Sequence, residues 1–203
     1  MNRRHGRMLT LAALLLAVLG IAAGSASAAY TSSASTSVSS TATFGRTTVG
    51  TLQNLSSNRK RVSRFTLAEP GTVSYVSAYV DGNGSGSNSS QVIRFVIYAD
   101  SSGYPAALLG STASYTVVRR AQASWVTLAL PTALPLSAGT YHLGIHSGSS
   151  SSVGRYAAVQ LSSGLKQNDD TFTDGSRNPF GSASTYSLGM SIYATYTPTA
   201  DTQ

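Results

Sequence analysis

The sequence predicts an all-β fold: an antiparallel β-sandwich of jelly-roll type with about nine strands. Three observations carry this. The 203 residues are only 10% charged and rich in Ser, Thr, Tyr and Val; β-branched and aromatic side chains pack well on a pleated sheet. Short runs of alternating apolar and polar residues recur between Gly, Pro, Asn and Ser turns. No segment shows a sustained helical period. The length suits one domain behind a leader. A domain of this size buries enough apolar surface to fold without disulfides, and the chain has no cysteine.

The first residues read as a secretory signal. Arg3, Arg4 and Arg7 form a basic start, MLTLAALLLAVLGIAAG (8–24) is the apolar stretch, and Ala26-Ser27-Ala28 or Ser27-Ala28-Ala29 offers small residues for cleavage. Residues 1–29 are therefore expected to be removed, leaving a secreted, extracellular protein without a membrane span. A retained anchor is the alternative, because the apolar run sits at the lower edge of the roughly 17–25 residues a bilayer demands. Residues 30–43, YTSSASTSVSSTAT, hold too little apolar surface for a core and are expected to be a linker. The sandwich is expected over 44–198, with a short tail at 199–203.

Within it, strands are expected at 44–52, 62–68, 72–80, 91–99, 114–119, 124–130, 139–146, 154–160 and 186–197. ALLGSTA (107–113) reads as a short edge strand or a turn. DGNGSGSNSS (81–90) is too rich in Gly and Ser for a strand and joins two of them.

The formal net charge is +7. Three of the 14 basic residues lie in the leader, so 11 against 7 acidic residues leave +4 after cleavage. Arg59-Lys60-Arg61, with Arg64 nearby, is the one basic run. It reads as a solvated loop, and the missing aromatics between its charges argue against a nucleic-acid partner.

The stretch GTYHLGIHSG (139–148) holds both histidines of the domain, His142 and His146. In a strand, Tyr141, Leu143 and Ile145 face one way and the histidines the other. The apolar set is expected in the core and the histidines on a polar, solvent-facing side. His146→Ala should then barely change stability. A shared metal is disfavoured, because residues four apart in a strand are roughly 13 Å apart. Contact with a ligand is the alternative to a plain polar side.

Catalytic patterns are sparse. There is no G-x-S-x-G elbow and no paired carboxylates around a cleft motif, so no enzymatic activity is expected. Asp169, Asp170 and Asp174 in NDDTFTDG put three carboxylates within six residues, the best candidate for a structural calcium, with a solvated turn as the alternative. Trp125 is the only tryptophan; it is either buried or a platform on which a sugar stacks. Arg155 and Tyr156 complete the candidate ligand set with His142 and His146.

RFVIYADSSGYPAALLGS (94–111), SWVTLALP (124–131), LSAGTYHLGIHSG (136–148), DTFTDGSRNPFG (170–181) and MSIYATY (190–196) follow one another in an order that resembles the non-catalytic jelly-roll β-sandwich modules of secreted bacterial proteins, which are shaped like carbohydrate-binding modules. The resemblance covers about residues 44–197. It implies a sandwich fold and a glycan or cell-wall polymer as ligand. The chain departs from the pattern at His142, where an aromatic is expected. A structural or adhesive surface module without a small ligand is the second reading, and a small secreted hydrolase or lyase the third.

Overall fold

The structure, a computed structural model, describes residues 40–199. The expected signal, residues 30–39 of the expected linker and residues 200–203 lie outside the described residues. Twelve strands follow in order: β1 (Ala42–Gly45), β2 (Thr51–Asn54), β3 (Arg59–Leu67), β4 (Gly71–Asp81), β5 (Ser90–Ser101), β6 (Tyr104–Ser111), β7 (Tyr115–Val118), β8 (Ser124–Leu136), β9 (Gly139–Ser147), β10 (Arg155–Asp169), β11 (Ser184–Met190) and β12 (Ile192–Pro198). Among the described residues a single 3-10 turn, Phe172–Asp174, lies between β10 and β11.

Neighbouring strands pair antiparallel and form a sandwich. The first layer runs β1-β12-β4-β8. The second runs β10-β3-β9-β5, with β6 and β7 both paired to β5. The core lies between them because inward residues of both layers are apolar at every second position. Val76, Ala78 and Val80 of β4 and Ile192 and Ala194 of β12 meet Phe95 and Ile97 of β5 and Leu143 and Ile145 of β9 in one cluster.

Strand β10 belongs to more than one partnership. Its first residues, Arg155 and Tyr156, pair with Asp81 and Val80 of β4 and with Asn54 and Gln53 of β2. Its last five, Leu165–Asp169, pair with β3. β11 runs along the other edge, with an irregularity between Gln160 and Leu165.

The nine expected strands are all found, with altered limits. The run 44–52 is two strands, because the chain leaves the sheet at Gly45, where φ is +128°, and re-enters at Thr51. ALLGSTA falls mostly within β6. The expected strand at 154–160 continues to Asp169, and 186–197 divides at Ser191 into β11 and β12.

The basic run is a correction. Arg59-Lys60-Arg61 is the start of β3 rather than a solvated loop. Lys60 and Arg61 are buried, and the Arg61 guanidinium lies 5.6 Å from the Tyr156 ring centre. In β3, Lys60 and Val62 lie on one side of the strand and Arg61 and Ser63 on the other, and all four are buried, so the charges are drawn into the sheet along with Val62.

The β3-β9-β5 register sets three rows across the outer side of the second layer: Arg64, His142 and Tyr98; Val62, Gly144 and Val96; Lys60, His146 and Arg94. The middle row depends on Gly144. A Cβ there would sit 2.0 Å from the carbonyl oxygen of Arg61 and 2.5 Å from Val62 Cγ1. A backbone atom cannot swing aside as a side-chain tip can. Gly144→Ala is therefore expected to destabilise the domain by about 1–3 kcal/mol, as overpacking does. Urea unfolding followed by Trp125 fluorescence measures this; an unchanged midpoint would contradict the close β3–β9 approach.

Candidate functional site

Part of the outer side of the second layer is covered. The segment 170–183, between β10 and β11, lies across it as a strap. Phe180 is fully buried and packs with Val62, Val96 and Tyr98 in a second, smaller apolar cluster. The Phe180 and Tyr98 rings meet edge to face, 5.0 Å between centres. Backbone bonds tie the strap down: Phe180 N–H donates to Ala106 O (2.8 Å) and Asp170 N–H to Asn58 O (2.9 Å).

Beneath the strap lies a buried charge network. Lys60 is 0% exposed. Its Nζ is 3.1 Å from Asp170 Oδ2. It also donates to Tyr98 Oη (3.3 Å) and to the carbonyl oxygens of Phe180 (3.2 Å) and Arg177 (3.4 Å). The ammonium lies 4.4 Å from the Phe180 ring centre, where the ring's negative face adds attraction. Burial lowers the Lys60 pKa, and Asp170 opposes that shift. Asp170 Oδ2 accepts a further bond from the Arg177 N–H (2.9 Å).

His146 belongs to the same network and is 0% exposed. Its Nε2 lies 3.0 Å from the Asp170 carbonyl oxygen and its Nδ1 2.9 Å from Ser176 Oγ. A carbonyl only accepts, so Nε2 carries the proton and Nδ1 accepts from the serine. Arg94 stacks on Phe172 at 3.9 Å and donates to its carbonyl oxygen.

His142 is held in a separate cluster. It is 1% exposed. Its Nε2–H donates to Asp100 Oδ1 (2.8 Å), which also accepts from Arg64 Nε (2.9 Å). Asp100 Oδ2 accepts from the Gly103 N–H (3.0 Å). Burial raises the Asp100 carboxyl, but these three donors together outweigh it and hold it below its ordinary value. Both histidines are pushed below 6.5 by burial, against the pull of Asp100 and Asp170 respectively.

The histidines therefore share one side of β9, opposite Leu143 and Ile145, as the alternation predicts, yet neither faces solvent. The exposure was misjudged because alternation fixes which side a residue takes and is silent on whether another segment covers that side. His146→Ala, expected from sequence to be nearly neutral, instead removes a buried group bonded at both nitrogens. Tyr141 is half-buried against the core and donates its hydroxyl to Ser137 O.

The remaining candidate residues scatter. Tyr156 is buried in the main core. Arg155 is spent on Asp81, with Nε 2.9 Å from Oδ1. Burial raises the Asp81 carboxyl, but Arg155 and two bonds from Asn83 outweigh it and lower the net value. The three carboxylates of NDDTFTDG part ways: Asp169 pairs with Arg59 (2.7 Å), Asp170 turns inward to Lys60, and Asp174 accepts from its neighbour Thr173. Among the described residues, no group of three or more His, Asp or Glu side chains is arranged to hold a metal ion. These side chains do not form the expected calcium set.

The first layer's outer side carries a different feature. Trp125 is half-buried there, directly opposite Tyr79 across the β8–β4 pair. Its ring meets Tyr79 at 5.5 Å and Tyr193 of β12 at 4.9 Å, both edge to face. Trp125 reaches over β4 because the residue opposite Tyr193 is Ser77, small and 1% exposed. Ser77 and Thr127 share a 2.7 Å hydroxyl bond, and Tyr75 is exposed beside them. Sequence reasoning found Trp125 and missed its partners, although Tyr75, Ser77 and Tyr79 show the two-residue period openly. It also missed Asp100 and Lys60, whose roles arise only from strand pairing.

The sequence matches no known family model and no curated protein.

Two outcomes follow from this geometry. Lys60→Ala leaves Asp170 buried beside fewer donors and is expected to cost about 3–5 kcal/mol. Lys60→Met with Asp170→Asn should recover part of that loss in chemical denaturation; equal losses in both variants would show that the pair is not coupled. The second concerns pH. His142 and His146 titrate lower when folded, so the unfolded chain takes up protons first and stability falls as pH drops below 6.5. Asp81 and Asp100 have depressed folded values, so a further loss sets in below 3.8. Melting temperatures between pH 8 and pH 3 check the order; a curve flat through the first window would contradict the buried neutral histidines.

Proposed function

We propose that this chain is a secreted, non-catalytic β-sandwich module that binds a glycan on the open outer side of its first layer. The single observation supporting this is the row Tyr79, Trp125 and Tyr193, half-buried and flanked by hydroxyl groups. Sugar rings bring apolar C–H faces and hydroxyls together, and such a row offers aromatic surface beside the exposed hydroxyls of Thr127 and Tyr75. Beneath the strap of the second layer the titratable side chains are tied to one another and to the backbone. In that layer His146 gives its Nε2 proton to a backbone carbonyl and Asp170 is committed to Lys60, which fits a module without chemistry of its own.

A glycan array followed by calorimetry tests the reading. Trp125→Ala is expected to weaken binding by about 2 kcal/mol or more, the loss typical of a central aromatic contact. Binding to no glycan would sink the proposal, and capture of a partner protein without sugar competition would favour the adhesive reading.

One contact favours a hydrolase as the second reading. Ser176 Oγ bonds His146 Nδ1, and the Asp170 carboxylate lies 3.9 Å from Nε2, an order seen in relays that activate serine. A fluorophosphonate probe that labels Ser176, and loses that label in His146→Gln, would favour it over the binding module.

A further inference from the structure

Beyond the strap, where β3 and β9 meet the β10–β11 edge and Arg46 reaches in from the end of β1, a cleft of about 360 Å³ opens between Arg46, Arg64, His142, Leu161 and Lys166. Its charge is one-sided. Three permanent cations line it, and no carboxylate does. The nearest carboxylate, Asp100, is already shared between Arg64, His142 and the Gly103 N–H. Among the described residues Arg46 has no ion-pair partner, and neither has Lys166. Lys166 rests on Thr185 Oγ1 (2.7 Å) and over the Tyr104 ring (4.1 Å).

Two buried polar atoms in this wall have no partner: Arg46 Nε, a donor that an oxyanion would satisfy, and Nδ1 of the almost wholly enclosed His142, which is an acceptor because Nε2 carries the proton and would take a hydroxyl. Most buried polar groups in folded proteins are bonded, so two orphans in one wall require a reason. Gly189 keeps the arginine in place, since a Cβ there would come within 3.2 Å of its Nη2 and 2.4 Å of Leu161 Cδ1. Leu161 supplies an apolar side wall. The cleft is thus a preformed cationic recess at the small end of the range for ligand pockets.

We propose that this cleft binds an oxyanion, a carboxylate or a phosphate, carried on a hydroxyl-bearing polymer. Arg46 and Lys166 have no counter-charge of their own beside the Asp100-paired Arg64, and an oxyanion supplies one with charge-assisted hydrogen bonds. One sugar-sized or polyol-sized unit fits the volume, with its apolar edge on Leu161. The cleft includes none of Tyr79, Trp125 and Tyr193, so this inference stands whether or not that row binds a neutral glycan.

The test titrates the whole protein, by calorimetry and amide NMR, with trigalacturonate, a short glycerol phosphate oligomer and neutral trigalactose. Saturable binding of at least one anionic oligomer is expected, weakening with added salt. Arg46→Gln combined with Lys166→Gln should weaken it about ten- to a hundredfold, the cost of losing charge-assisted bonds. Arg119→Gln, which removes an exposed charge from β7's far end, should leave it unchanged. The two anionic arms separate a carboxylate source from a phosphate source. Absence of binding to both oligomers, equal binding of trigalactose, or equal affinity in the double variant would overturn the proposal. The melting temperature of the double variant confirms that any loss is not unfolding.

Discussion

The burial of one ammonium organises the outer half of this domain. Lys60 sits in a strand with an apolar core on one side and the strap on the other. An unpaired charge in that position costs several kcal/mol. The domain meets the demand with Asp170, two backbone carbonyls, a tyrosine hydroxyl and an aromatic face. Three of those partners, Asp170 and the carbonyls of Arg177 and Phe180, belong to the strap or its root. The strap's path is therefore set as much by charge as by Phe180's apolar anchor. His146 and Arg94 follow, because each bonds a strap residue from the same row.

The two outer sides of the sandwich reflect opposite solutions. On the first layer small and hydroxylated residues alternate with aromatics, and the side stays open. On the second, cations and histidines alternate with apolar residues, and such a surface becomes stable when a segment covers it and supplies acceptors. The covering stops short of Arg64, Arg46 and Lys166, where positive charge remains near the solvent.

The sandwich class and the placement of strands were legible because a two-residue period survives in nearly every run. Leu143 and Ile145 are in the core for the reason their spacing implies. Strand limits were less legible where a bulge or a glycine with positive φ changed the path, as at Gly45. The candidate site was legible only in part. Alternation put His142 and His146 on a common side, but a 14-residue strap that sits over part of that side has the composition of an ordinary loop. Lys60 and Asp170 are 110 positions apart in the chain, and Asp100 and His142 are 42 apart; the β10–β3 pairing makes the first pair neighbours and the β5–β9 pairing the second. A run of basic residues looks solvated because nothing within it shows the strap that covers Lys60.

Strand β10 has a consequence for how the domain comes apart. Its 15 residues bond β4 at one end and β3 at the other, so a single segment is stitched into both layers. Peeling either layer away breaks hydrogen bonds that the other layer relies on. Partial opening of one half is thereby penalised relative to complete unfolding, and slow amide exchange should spread across both sheets at a common rate rather than divide between them. For a domain without disulfides, that shared strand does through topology what a covalent cross-link does elsewhere: it makes the two halves fail together.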